Sequence, residues 1–134
     1  MKIVINNCFG GFDLSTEAMT AYYARKGRPV VEVQKDSNIC FDAPIPDHLR
    51  HDDFMDYKDP RREEWNEFYN NHALGSRDPE RNDPDLVAVV EELGEKADGR
   101  YARLKVVEIP DGVDWFIHEY DGSEHIAETH RTWG

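Results

Sequence analysis

No apolar run in the sequence approaches the ~20 residues needed to cross a bilayer, so no membrane-spanning helix is expected. Positive charge is also scarce. The chain has 16 Lys and Arg against 28 Asp and Glu, for a net charge of −12. A nucleic-acid backbone or an anionic membrane demands a basic face, so direct binding to either is not expected. An acidic surface suits solubility, a basic protein partner or mimicry of nucleic acid. Cysteine is limited to Cys8 and Cys40. MKIVINNCF lacks the pattern of a secretory leader, so the two thiols are expected to stay reduced in a cytoplasmic protein. Apolar residues make up only 39% of the chain, below the usual globular share. That predicts a modest core, with part of the chain outside it. A length of 134 residues suits a single domain spanning 1–134.

Three parts of the chain read differently. KIVIN, residues 2–6, is a buried strand by its apolar run. A helix follows, capped by Ser15 or Thr16 and stopped at Gly27. VVEVQ, residues 30–34, is a second strand, and the spacing matches a βαβ unit, with an antiparallel return as the alternative. Residues 36–83 carry many Pro, Asp, Arg and Asn and little periodicity. They read as a variable insertion or lid containing one helix near 61–74. In the last third, Asp83 caps a helix, Pro84 opens it and Gly99 ends it. Leu86, Val90, Leu93 and Ala97 form its apolar stripe. RLKVVEIP, residues 103–110, is a strand. VDWFIHEYDGSEHIAETH is a β-hairpin turning at Asp121-Gly122, a pair that favours a type I′ turn. The fold expected is α+β: a mixed or antiparallel sheet of about five strands, two or three helices and the C-terminal hairpin.

The candidate site is the junction INNCFGGF. A strand that ends in glycines ahead of a helix can turn unpaired N–H groups and the positive end of the helix dipole toward an anion. Asn6, Asn7, Cys8, Phe9, Gly10 and Gly11 are its candidate ligand-binding residues. The stretch matches neither GxGxxG nor GxxxxGK[ST], and a tight structural turn is the competing reading. Cys8 lacks the arginine of a phosphatase-type loop and reads as a small buried thiol. In the hairpin, His118 opposes His125, within reach of a shared metal or phosphate, but two histidines without a third ligand fall short of a zinc site. Trp115, Ile117 and Ile126 should face the core, with Phe116, His118, Tyr120 and His125 on the other face. His48, His51, Asp52 and Asp53 read as a charged, solvated loop. His130, Arg131 and Trp133 bring an arginine and an aromatic together, a pairing that can hold an anion and stack a ring. No metal, cofactor or complete catalytic constellation is expected.

The blocks VINNCFGGFDLSTEA and RNDPDLVAVVEELGEKADGRYARLKVVEIPDGVDWFIHEYDGSEHIAETHRTW resemble a family of short proteins of unassigned function carried by phages and prophages. Asn6, Cys8, Phe9, Gly10, Gly11, Asp83, Pro84, Tyr120, Asp121, Gly122, His130, Arg131 and Trp133 fall within the blocks that carry the resemblance. It implies a phage-encoded protein acting in the bacterial cytoplasm. The leading expectation is a homo-oligomeric binding protein that sequesters a small anionic ligand, with a nucleotide immune signal as one candidate. Its site would gather the glycine junction, Tyr120 and the C-terminal HRTW. Two alternatives remain: an acidic inhibitor of a basic host or defence protein, and a metal-dependent nucleotide hydrolase.

Overall fold

Ile3, Val4 and Ile5 have no polar face to offer solvent, and the fold buries all three. In the computed structural model, which describes residues 1–34, 39–51 and 55–128, strand β1 (Lys2–Asn6) has neighbours on both edges. One edge pairs antiparallel with β5 (Leu104–Glu108), from Lys2 opposite Glu108 to Asn6 opposite Leu104. On the other, the Val4 N–H donates to the Arg81 carbonyl (2.8 Å) and the Asn6 N–H to the Glu124 carboxylate (2.9 Å).

Helix α3 (Pro84–Leu93) packs on this strand pair, and α1 (Thr16–Arg25) packs on α3. Ser15 caps α1, its hydroxyl accepting the Ala18 N–H and donating to the Lys96 carbonyl. Asp83 caps α3 through the Asp85 N–H and also accepts the Tyr22 hydroxyl (2.8 Å), so one carboxylate joins the two helices. Gly94, not Gly99, ends α3. Its φ of +57° and ψ of −129° suit only glycine, and one 3-10 turn (Gly94–Ala97) follows. Gly99 serves a close approach instead: its N–H donates to the Asp13 carbonyl, and a Cβ there would lie 2.7 Å from the Asp13 side chain.

The described residues of the middle segment, 39–51 and 55–83, are folded. β2 (Glu32–Gln34), β3 (Ile39–Phe41) and β4 (Ala73–Leu74) form a small antiparallel sheet in the order β2-β3-β4. Helix α2 (Arg62–His72) leads into β4. Phe41, Ile45, Leu49, Met55 and Trp65 make a second small core. Successive strand residues point to opposite faces, and β3 uses this to join the two cores. Cys40 lies in the main core and Phe41 in the second. Burial raises the Cys40 thiol pKa. β1 and β2 lie in different sheets, so residues 2–34 are not a βαβ unit. Both edges of β1 are already occupied, and β2 pairs locally with β3.

The seven strands among the described residues are thus divided among three small antiparallel sheets, within the α+β class. The third is the hairpin, β6 (Trp115–Tyr120) with β7 (Ser123–Glu128). Asp121 and Gly122 both have positive φ (53° and 88°), as a type I′ turn requires. The register is the expected one, with His118 opposite His125 and Ile117 opposite Ile126. Trp115, Ile117 and Ile126 are only half-buried, and the most buried residue of that face is Glu124. The hairpin docks on the edge of β1 through this carboxylate rather than over the core.

Candidate functional site

The glycine junction is closed on itself. The Asn6 amide nitrogen donates to the carbonyls of Cys8 and Gly122, both at 2.7 Å. Its oxygen accepts the Arg103 N–H (2.9 Å) and the Cys8 thiol (3.4 Å). A carboxamide has two donors and two acceptor sites, so buried Asn6 has none left for a ligand. Gly10 lies flat against the Tyr101 segment, where a Cβ would sit 1.7 Å from the Tyr101 carbonyl oxygen. Gly122 meets the junction from the other side, 2.7 Å from Gly11 N and Phe9 O by the same measure. The close approach that these glycines permit is therefore to the protein's own backbone. The single Cys8 S–H is shared between the Asn6 oxygen and the nearer Tyr101 carbonyl (3.0 Å).

Helix α1 begins five residues beyond Gly11, so the glycines do not form its N-terminus. Asn7 and Gly10 are exposed and Gly11 is half-exposed. Phe9, Tyr101 and Tyr120 stand out into solvent, 70%, 66% and 72% exposed, on the three segments joined here. His130, Arg131 and Trp133 lie outside the described residues, as do Asp52 and Asp53.

The junction is anchored by a charge pair that the sequence pattern did not reveal. Arg81 holds the Glu124 carboxylate at both oxygens (2.5 and 3.0 Å). Glu124 also accepts the Asn6 N–H. The Arg81 guanidinium lies 3.5 Å from the Phe12 ring centroid. The side chains are 20% and 7% exposed, respectively.

A cavity opens beside Tyr101, the residue against which Gly10 packs. A cleft of about 710 Å³ runs between the N-terminus of α1, the 98–101 loop and the 75–78 loop that follows β4. Its walls therefore come from both the main body and the insertion. The volume is typical of a small-molecule site. Ser15, Thr16, Tyr69, Ser76, Arg77, Arg100 and Tyr101 contribute polar or aromatic groups. Arg77 makes no ion pair or hydrogen bond among the described residues, and Arg100 only lies beside the Tyr101 ring (5.3 Å). Of the carboxylates, Asp13 accepts the Ser76 hydroxyl (2.5 Å) and Asp98 the Leu104 N–H (2.9 Å). Asp78 packs against Gly75. Ser15 and Thr16 were read from sequence only as helix-cap candidates, and none of these residues was singled out as a site residue. The available signal was weak: an Asp-Gly pair followed by RYAR, in a stretch unusually rich in cations for this chain.

Searches against protein-family models, curated proteins and solved structures return no match. The chemistry of the cleft therefore rests on its own residues. Among the described residues, no group of three or more His, Cys, Asp or Glu side chains is placed to hold a metal ion. No helix among them is long and apolar enough to cross a membrane.

Proposed function

We propose that the chain binds a small organic anion in the cleft at the N-terminus of α1, with nucleotides as the leading ligand class. The observation that carries this reading is the pair of arginines on the cleft. In a chain of net charge −12, Arg77 and Arg100 both line the cavity and neither is paired with a carboxylate among the described residues. Guanidinium groups match phosphate and carboxylate in a fork geometry. Tyr69 and Tyr101 supply flat faces for a ring. The Thr16 and Glu17 N–H groups at the positive end of α1 have no backbone acceptor among the described residues and add to the attraction. A phage-borne sequestering role in the bacterial cytoplasm extends this reading through the sequence resemblance.

Calorimetry and native mass spectrometry against nucleoside mono-, di- and triphosphates, dinucleotides and organic acids test it. Saturable binding that weakens roughly tenfold in Arg77→Ala and in Arg100→Ala, about 1.4 kcal/mol each, supports the site. No binding across the panel at millimolar concentration overturns it. The acidic-inhibitor alternative rests on net charge. It predicts a protein complex whose association rate falls steeply with salt and is insensitive to the two arginine substitutions.

A further inference from the structure

The outer face of the hairpin carries two imidazoles that the fold does not otherwise engage. His118 and His125 are directly opposed on β6 and β7. Both are exposed, and their ring centroids lie 4.7 Å apart with the planes inclined at 46°. The other described histidines are engaged: His48 with Glu64 (2.8 Å), His51 with the Leu49 carbonyl (2.8 Å) and His72 with Asp42 (2.9 Å). Neither ring of the hairpin pair has a hydrogen bond or ion pair among the described residues. Their nitrogen lone pairs are free to bind a metal.

The spacing is that of two cis ligands on one metal. A metal–nitrogen bond of about 2.0–2.1 Å puts each imidazole centroid about 3.2 Å from the ion. Two such rings have centroids about 4.5 Å apart at a right angle and about 5.2 Å apart at the tetrahedral angle. The observed 4.7 Å falls between them. The backbone is also held in place. The type I′ turn fixes the register, and Glu124, next to His125, is clamped by Arg81 and the Asn6 N–H. A pair held this way loses little freedom on chelation. The neighbours on this face are Phe116, Tyr120, Ser123 and Ala127. None is a carboxylate, so the hard cations Mg²⁺ and Ca²⁺ are disfavoured.

We propose that His118 and His125 form a surface site for a late divalent transition metal, Cu²⁺, Ni²⁺ or Zn²⁺. The protein gives two nitrogens, and the remaining positions stay open to water or an external donor. The pattern was visible in the sequence as two opposed histidines, and the ring spacing turns it into a chelate.

Isothermal titration with each metal ion, and electron paramagnetic resonance of the Cu²⁺ form, test the site on the full chain. The expected result is one equivalent bound, tightest for Cu²⁺, with two imidazole nitrogens in the copper spectrum. His118→Ala and His125→Ala should each weaken binding about tenfold or more, because each turns a two-point chelate into a single contact. Both positions are exposed, and far-UV circular dichroism verifies that the variants keep the fold. Two results overturn the proposal: no binding of any of the three ions at 1 mM, or binding unchanged in both variants, which would put the metal at another histidine. The cleft residues take no part, so this outcome is independent of anion binding.

Discussion

Glu124→Ala should be among the most damaging single substitutions in the chain, although the residue sits in a hairpin near the C-terminus. The carboxylate is 7% exposed and holds Arg81 at 2.5 and 3.0 Å while accepting the Asn6 N–H at 2.9 Å. Removing it leaves a guanidinium that is 20% exposed, pressed on Phe12 and without a counter-charge. It also leaves a buried N–H without its acceptor. Breaking a buried pair from one side costs about 3–5 kcal/mol. A domain of this size has a total stability on the order of 10 kcal/mol. Urea unfolding at pH 7 measures the loss as a lower midpoint at unchanged slope. The double variant Arg81→Ala/Glu124→Ala should lose clearly less than the sum of the singles, since it strands no charge. Hydrogen exchange at the Asn6 amide should quicken in Glu124→Ala more than at amides of α3. A loss below about 1 kcal/mol would match an exposed pair and refute the anchor.

Other outcomes follow from the same geometry. Gly10→Ala should unfold or severely destabilise the protein in thermal melts, because the added Cβ meets the Tyr101 carbonyl at 1.7 Å. Leu86→Ala, in the fully buried face of α3, should cost about 2–5 kcal/mol in urea unfolding. Stability should fall with acid, as melting temperature between pH 6 and pH 2 will show. For Asp83, burial alone would raise the pKa, but hydrogen bonds from Lys26 and Tyr22 outweigh it and lower it. For Asp42, burial is likewise outweighed by hydrogen bonds from His72 and Arg28. The Arg61 hydrogen bond lowers Asp59 to about 2. A carboxylate with a depressed folded-state pKa contributes stability above its unfolded value near 4, and that contribution disappears as pH falls through the folded value. Asp83→Asn should flatten part of that slope.

Much of the fold was legible because its signals are local. Ser15, Asp83-Pro84 and Gly27 mark helix ends by hydrogen-bonding and φ preferences that act within a few residues. Asp121-Gly122 fixes a hairpin register for the same reason. The apolar stripe continues past Gly94 to Ala97, so periodicity places the helix end at Gly99. Only the backbone angles of Gly94 show that the helix stops at that residue. The sheet arrangement was not legible, since pairing depends on which edges remain open. Nothing in VVEVQ reveals that β1 is already flanked by β5 and by the Arg81 segment. The insertion hid its order because its core comes from widely spaced Phe41, Ile45, Leu49, Met55 and Trp65 rather than one amphipathic stripe.

The glycine junction shows how one local signal suits two kinds of partner. Gly10, Gly11 and Asn6 do mark a place where backbone comes into close contact with something polar. The same pattern suits a phosphate or another stretch of main chain, since both present oxygen acceptors to donors at short range. Here the partners are the Tyr101 and Gly122 carbonyls, nearly 100 residues or more away in sequence. Ala at Gly122 would press on Gly11 N and Phe9 O, just as Ala at Gly10 would press on Tyr101, so the glycines serve one contact from opposite sides. This closure holds the Tyr101 segment against the junction, and the neighbouring Arg100 is thereby set on the cleft at the N-terminus of α1. Asn6→Ala would remove four hydrogen bonds at once. If the junction positions the cleft, this substitution should weaken anion binding in protein that remains folded, although Asn6 touches no ligand. If binding is unchanged in such protein while stability falls, the junction stabilises the fold without organising the cleft.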